Sequence, residues 1–247
     1  MSALVGAEFL KLRTTRAWIG YVLGLMAISG VGAAAQAGSA GEFDLGTPKF
    51  TRDVLASALF AGFVAFLVGV TSVTAEWRHG TITRTFLVMP RRERVLVAKG
   101  LAVLVLGIVL AALAIGIVLA VAVSWVSVEG ESFPVDGDVL ARVGRIVLAA
   151  GLWGALGVGV GAVIQSQTPA LIVAILWILL VEALIQALLG LADLEVVAEF
   201  LPGQALGAFD GGVEGGLRPW VGGVVGLGWV LAIGALGYVR MERRDIT

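Results

Sequence analysis

The polar and apolar positions of this chain do not alternate; they fall in blocks. Six apolar blocks, at 17–37, 54–75, 100–123, 146–164, 170–191 and 220–239, each come close to the ~20 residues with which a helix crosses ~30 Å of hydrocarbon. Lipid offers the backbone no hydrogen bonds, so a helix, which satisfies its own, is the structure such blocks predict. A transmembrane barrel needs shorter strands that alternate in polarity, and no block does so. The fourth block has the weakest helix propensity, because Gly151, Gly154, Gly157, Gly159 and Gly161 interrupt it. Glycine is nevertheless frequent in membrane helices, where it lets two backbones approach. The predicted fold class is an all-α membrane protein, with six transmembrane helices in a single domain over 1–247.

The polar segments differ in kind. In 1–16, Met1, Leu4, Val5, Phe9 and Leu12 share one helical stripe, and Glu8, Lys11 and Thr15 share another. This predicts an amphipathic helix at the membrane interface. It either fixes topology alone or rests against a cytosolic partner; the residues fit both. The connection at 165–169 is a tight turn, and those at 38–53 and 124–144 are rich in Gly, Pro and Asp. In the longer loop at 192–219, Leu194, Val197, Ala198 and Leu201 recur at helical spacing beside Asp193, Glu195 and Glu199. That predicts a short outer amphipathic helix before the last span, ended by Pro202 and Gly203; a solvated loop fits the same residues. No internal repeat relates the two halves.

Composition agrees with the blocks. The chain is 59% hydrophobic and 14% charged, against about half and about a quarter in soluble domains. With no cysteine there is no disulfide framework and no thiolate metal site. No cleavable signal peptide is expected, because Glu8, Lys11 and Arg13 directly precede the first block. Charge then gives the orientation. The N-terminal segment, the 76–99 loop and the C-terminal tail carry 12 basic residues, and the opposite connections carry 5. The rule that basic loops stay inside predicts that both termini are cytoplasmic, in a multi-pass protein of the plasma membrane.

The 76–99 loop is the most informative stretch. Gly80 and Thr81 open a helical run, with Thr81 as N-cap. Ile82, Thr85, Phe86 and Met89 share one face, Pro90 stops the run, and Arg91, Arg92 and Arg94 follow. An exposed short helix with Phe86 and Met89 beside arginines suits the docking of a cytosolic protein, Phe86 and Met89 as apolar anchors and Arg78, Arg84 and Arg92 at the rim. A basic loop that touches anionic lipid accounts for the same residues.

The spacing Glu76…Gly80-Thr81…Pro90-X-Arg92…Lys99 resembles the corresponding loop of type-2 ABC transporter permeases. The tail Arg243-Arg244-Asp245-Ile246, the six-span layout, the amphipathic N-terminus and the long outer loop are similar to that family too. The resemblance covers essentially the whole chain; Arg91 departs from it, standing where the family has a small residue. It implies that the loop is a coupling helix docking into a cytosolic ABC ATPase, with Glu76, Gly80, Thr81, Pro90, Arg92 and Lys99 in the transmission element. It also implies two permease copies with two ATPases, a homodimer or a pair of similar permeases, and ATP and Mg bound on the ATPase.

The chain itself holds no catalytic machinery. A phosphate loop ends in Gly-Lys-Ser/Thr, and Lys11, Lys49 and Lys99 follow Leu10, Pro48 and Ala98. The lone His79 provides no multi-histidine metal site. Ser29, Ser57 and Ser72 have no histidine at their depth, which argues against an intramembrane hydrolase. Glu182 is the one ionisable residue deep in a span, with Gln186 one turn on and placed to share a hydrogen bond. Either they form part of the substrate path or they fix helix packing. The pairs Gly20/Gly24, Gly157/Gly161 and Gly222/Gly226 are read as packing.

The expected function is the membrane subunit of an ATP-driven exporter of an amphipathic or hydrophobic substrate. Its expected surroundings are the ATPase, a second permease copy and lipid, with no nucleic acid. The alternatives are an ion-gradient carrier, which would want several intramembrane charges and an inverted repeat, and a non-transporting scaffold.

Overall fold

The computed structural model describes residues 2–15, 17–41, 45–130, 133–213 and 216–244. Met1 of the N-terminal stripe and Asp245 and Ile246 of the tail motif lie outside them. The elements are α1 (Ser2–Thr14), α2 (Ala17–Ser39), α3 (Pro48–Ala56), α4 (Phe60–Arg78), α5 (Ile82–Val88), α6 (Arg92–Val128) and α7 (Gly137–Ile164). After these come α8 (Gln167–Leu176), a π-helical turn (Trp177–Val181), α9 (Glu182–Leu191), α10 (Glu195–Ala198), α11 (Pro202–Asp210) and α12 (Pro219–Arg243). No strand occurs among the described residues. Six stretches are long and apolar enough to span a membrane: Trp18–Ser39, Pro48–Arg78, Arg92–Val128, Gly137–Ile164, Gln167–Leu191 and Pro219–Arg243.

All six predicted blocks are present, and most run longer than their apolar part. Helix α6 continues to Val128 and α7 starts at Gly137, so the predicted 124–144 connection shrinks to a few residues. Asp136 caps α7 by accepting from Val139 N at 2.8 Å. In the 38–53 connection, Thr47 accepts from Phe50 N at 3.2 Å and starts α3. The 165–169 turn is tighter than its residues suggest. Gln165 ends α7 in the left-handed conformation, at φ 55°, and α8 begins at Gln167.

The centre of the bundle is α4, α6 and α7. The glycines that made the fourth block look weakest are the reason it sits there. A side chain at Gly157 would strike the Phe66 carbonyl, and one at Gly161 would come within 2.8 Å of the Val70 carbonyl. Gly154 is hemmed by Val103 and Gly69 by the α7 backbone. The Gly157/Gly161 pair therefore seats α7 on α4, and Gly222 and Gly226 seat α12 on α11. Gly20 and Gly24 face open space. The first, fifth and sixth spans line the periphery, with large apolar side chains such as Leu23, Leu179 and Leu231 turned outward.

The 192–219 loop departs most from expectation. The short helix α10 ends before Pro202, as its pattern predicts, but Pro202 and Gly203 then begin a second helix, α11, with Pro202 in its first turn. Helix α10 packs on α9 and α11 on α12, and Trp229 Nε1 ties the turn between them to α12 by donating to the Phe200 carbonyl at 2.8 Å. Trp229 lies ten residues into α12, or ~15 Å from its start, so the turn between α10 and α11 lies well along the length of that span.

Candidate functional site

The 76–99 segment occupies one end of the bundle together with α1 and the end of α12, and this end is the basic one. Its entry is a Schellman turn. Thr81 N donates to the Glu76 carbonyl at 3.0 Å and Gly80 N to the Trp77 carbonyl at 3.3 Å. Gly80 has φ +66°, which a residue with a Cβ adopts only with strain. Helix α5 then runs seven residues and stops before Pro90. Thr81 stands at its N-cap position, but its side chain makes no capping bond, so the turn and not the hydroxyl starts the helix.

The face of α5 that points inward corrects the sequence expectation. Phe86 is 6% exposed and Ile82 3%, packed with Val95, Leu96 and Met241; Met89 is half-buried against the same cluster. The side chains turned outward are Leu87 and Val88, 78% and 82% exposed, with Arg84 beside them. Phe86 is thus an anchor of the helix to its own chain. Pro90 is exposed at the junction with α6.

The flanks of the segment, on α4 and α6, are tied to each other, to α1 and to α5. Lys99 Nζ donates to Glu76 Oε1 and to Glu8 Oε2, both at 2.6 Å. Lys11 Nζ donates to Glu8 Oε1 at 2.7 Å and Glu76 Oε1 at 2.9 Å. Thr85 Oγ1 donates to Glu76 Oε2 at 3.3 Å, which brings α5 into the same cluster. Lys99, Glu76 and Glu8 are buried, so each charge depends on the others for its solvation. Burial alone would lower the Lys11 ammonium, but Glu8 and Glu76 outweigh it and hold it above its usual range. The helical period of 1–16 predicts Glu8 on a polar stripe, but it is buried, facing Lys99.

Arg92 holds the other side. Its guanidinium lies 4.9 Å from the Phe86 ring and donates to the carbonyls of Met241 and, at 3.0 Å, Arg244. These are free carbonyls at the end of α12, where a cation is favoured. Arg244 in turn stacks 4.6 Å from the Trp77 ring and donates to Gln165 Oε1 at 2.9 Å. Arg78 Nη1 donates to Gln167 Oε1 at 3.1 Å, at the start of α8. Glu76, Arg92 and Lys99, singled out by their spacing, and Arg244, from the tail motif, lie together at this end. The spacing does not single out Glu8, whose place comes from tertiary pairing, or the exposed Leu87 and Val88.

Glu182 and Gln186 do not share the hydrogen bond their spacing suggests. Glu182 Oε1 accepts from Gly203 N at 2.7 Å and Gln204 N at 3.0 Å, capping the N-terminus of α11. The π-helical turn just before it inserts an extra residue per turn, and Glu182 is the buried residue of α9. Gln186 is half-buried and takes no part in that cap. At the far end of α11, Arg142 Nη2 donates to the Gly211 carbonyl at 2.9 Å. A carboxylate from the fifth span and a guanidinium from the fourth therefore hold opposite ends of α11. Asp210, next to Gly211, is buried, and burial pushes its carboxyl up to about 7 even though Gly212 N donates to it at 2.9 Å.

No curated protein matches the chain. The family model described as ABC-2 family transporter protein matches residues 8–246. That match takes in the basic-end cluster, the 76–99 segment, all six spans and helices α10 and α11, and with it the chain belongs to the ABC-2 transporter family as a membrane permease subunit.

Proposed function

We propose that this permease is the transmembrane half of an ATP-driven exporter, and that α5 is where a separate cytosolic ATPase grips it. ATP and Mg would sit on that ATPase, and both termini of this chain would face the same compartment as the nucleotide. The observation that carries the reading is the division of α5 into two faces. Phe86 and Ile82 root it in the bundle, while Leu87 and Val88 stand almost fully exposed beside Arg84. Isolated apolar side chains of that size, rimmed by arginine on a rigid short helix, suit the centre of a protein interface.

The flanks supply the mechanics. Force on α5 passes through Glu76 and Lys99 into α4, α6 and α1, and through Arg92 into α12. Two copies of the permease would enclose a pathway between the peripheral spans. The scarcity of charge in those spans favours amphipathic or hydrophobic cargo, and export is the direction the family likeness suggests. Neither a carrier nor a scaffold needs an apolar pair held outward on a helix braced to four elements.

Co-purification tests the docking. The wild-type chain should retain its ATPase, and Leu87→Asp or Val88→Asp should lose it while the protein still inserts. Retention by both variants would remove the docking face.

A further inference from the structure

We propose that the pocket between the end of α7 and the last turns of α12 binds the phosphate headgroup of an anionic phospholipid. It is an open depression of about 540 Å³ at the basic end of the bundle. Its polar wall holds Arg240, Arg243 and Arg244, and its floor holds Gln165. Its membrane-ward wall holds Leu236 and Val239, both turned outward from the chain. A phosphate with an attached acyl chain matches that division, charge on charge and hydrocarbon on hydrocarbon.

The floor carries the more specific signal. Gln165 is 3% exposed, and its Oε1 is engaged by Arg244 Nη1. Its Nε2 has no hydrogen-bond partner among the described residues. A buried amide donor in that state calls for an acceptor, and a phosphate oxygen is one. Arg240 and Arg243 form no ion pair among the described residues and can supply the rest. The ion pairs among the described residues all belong to the Glu8, Lys11, Glu76 and Lys99 cluster. The nearest carboxylate along α12, Glu242, accepts from the Tyr238 hydroxyl at 2.9 Å.

The position gives the site a consequence. Arg244 stacks on Trp77, and its carbonyl accepts from Arg92. A headgroup seated on Arg244 would therefore brace the joint between α12 and the 76–99 segment. Lipid binding itself does not depend on the ATPase reading, and lipid retention is measured without the ATPase.

The purified full-length chain is loaded with phosphatidylglycerol or phosphatidylcholine, and retained lipid is counted by native mass spectrometry. Retention of phosphatidylglycerol should exceed that of phosphatidylcholine. The double variant Arg240→Gln/Arg243→Gln should weaken it roughly thirtyfold, at about 1 kcal/mol for each arginine. Arg13→Gln/Arg94→Gln, with the same loss of charge at two exposed positions elsewhere on the basic end, should leave it nearly unchanged. Gln165→Asn keeps a residue that tolerates the left-handed backbone but withdraws the amide, and should cost several-fold. Equal loss in the control pair, equal retention of phosphatidylcholine, or displacement by millimolar inorganic phosphate would each overturn the lipid site.

Discussion

The Lys99 ammonium lies 2.6 Å from the Glu76 carboxylate, and the pair joins the helix that enters the 76–99 segment to the helix that leaves it. Both residues are buried, and Glu8 closes the arrangement from α1. Removing one partner from such a cluster leaves a buried charge unpaired. Lys99→Met should therefore cost ~3 kcal/mol or more, and lower the thermal midpoint of the purified protein by several degrees. An unchanged midpoint would mean that the cluster does not brace the segment.

Neighbouring residues of α5 should behave in opposite ways. Phe86→Ala empties a packed position beside Arg92 and Met241 and should cost ~3–5 kcal/mol. Leu87→Ala removes an exposed side chain and should stay within ~0.5 kcal/mol. Denaturation of the two variants side by side checks the orientation of the helix. Equal losses would place Phe86 at the surface.

Much of this was readable along the chain. A bilayer imposes a minimum apolar length on every helix that crosses it, so the six blocks stand out in the sequence. The period of α5 told which residues share a face, but not which face turns inward. That choice depends on Val95 and Met241, which fold onto it from elsewhere. Glu8 looked solvated because its partner Lys99 is 91 residues away. Pro202 looked like a stop, since the carboxylate that starts α11 comes from the previous span.

Glu182 offers a graded test of that cap. Glu182→Leu strips the Gly203 and Gln204 amides of their acceptor and should cost ~1–3 kcal/mol. Glu182→Gln keeps a carbonyl and should cost less. If Gln is as damaging as Leu in unfolding measurements but each variant retains its fold, the charge and not the cap is what the bundle needs.

Asp210 predicts a pH dependence. Its folded value of about 7 lies above the ordinary 3.8, so between those values the folded state holds more protons than the unfolded state. Stability should therefore fall as pH rises through that window, by on the order of a few kcal/mol, and level off above it. Asp210→Asn keeps an acceptor for Gly212 N, and its unfolding midpoint should lose this slope. A wild-type midpoint that rises from pH 5 to pH 7 by the amount that Asp210→Asn removes would reverse the assignment.

The central claim is that the exposed face of α5 meets an ATPase on the side of the membrane that holds both termini. The chain has no cysteine of its own, so Val88→Cys carries a single thiol that reports from that face. A membrane-impermeant maleimide should label it in inside-out vesicles, and bound ATPase should shield it. Labelling from outside intact cells, or equal labelling with and without the ATPase, would contradict the account.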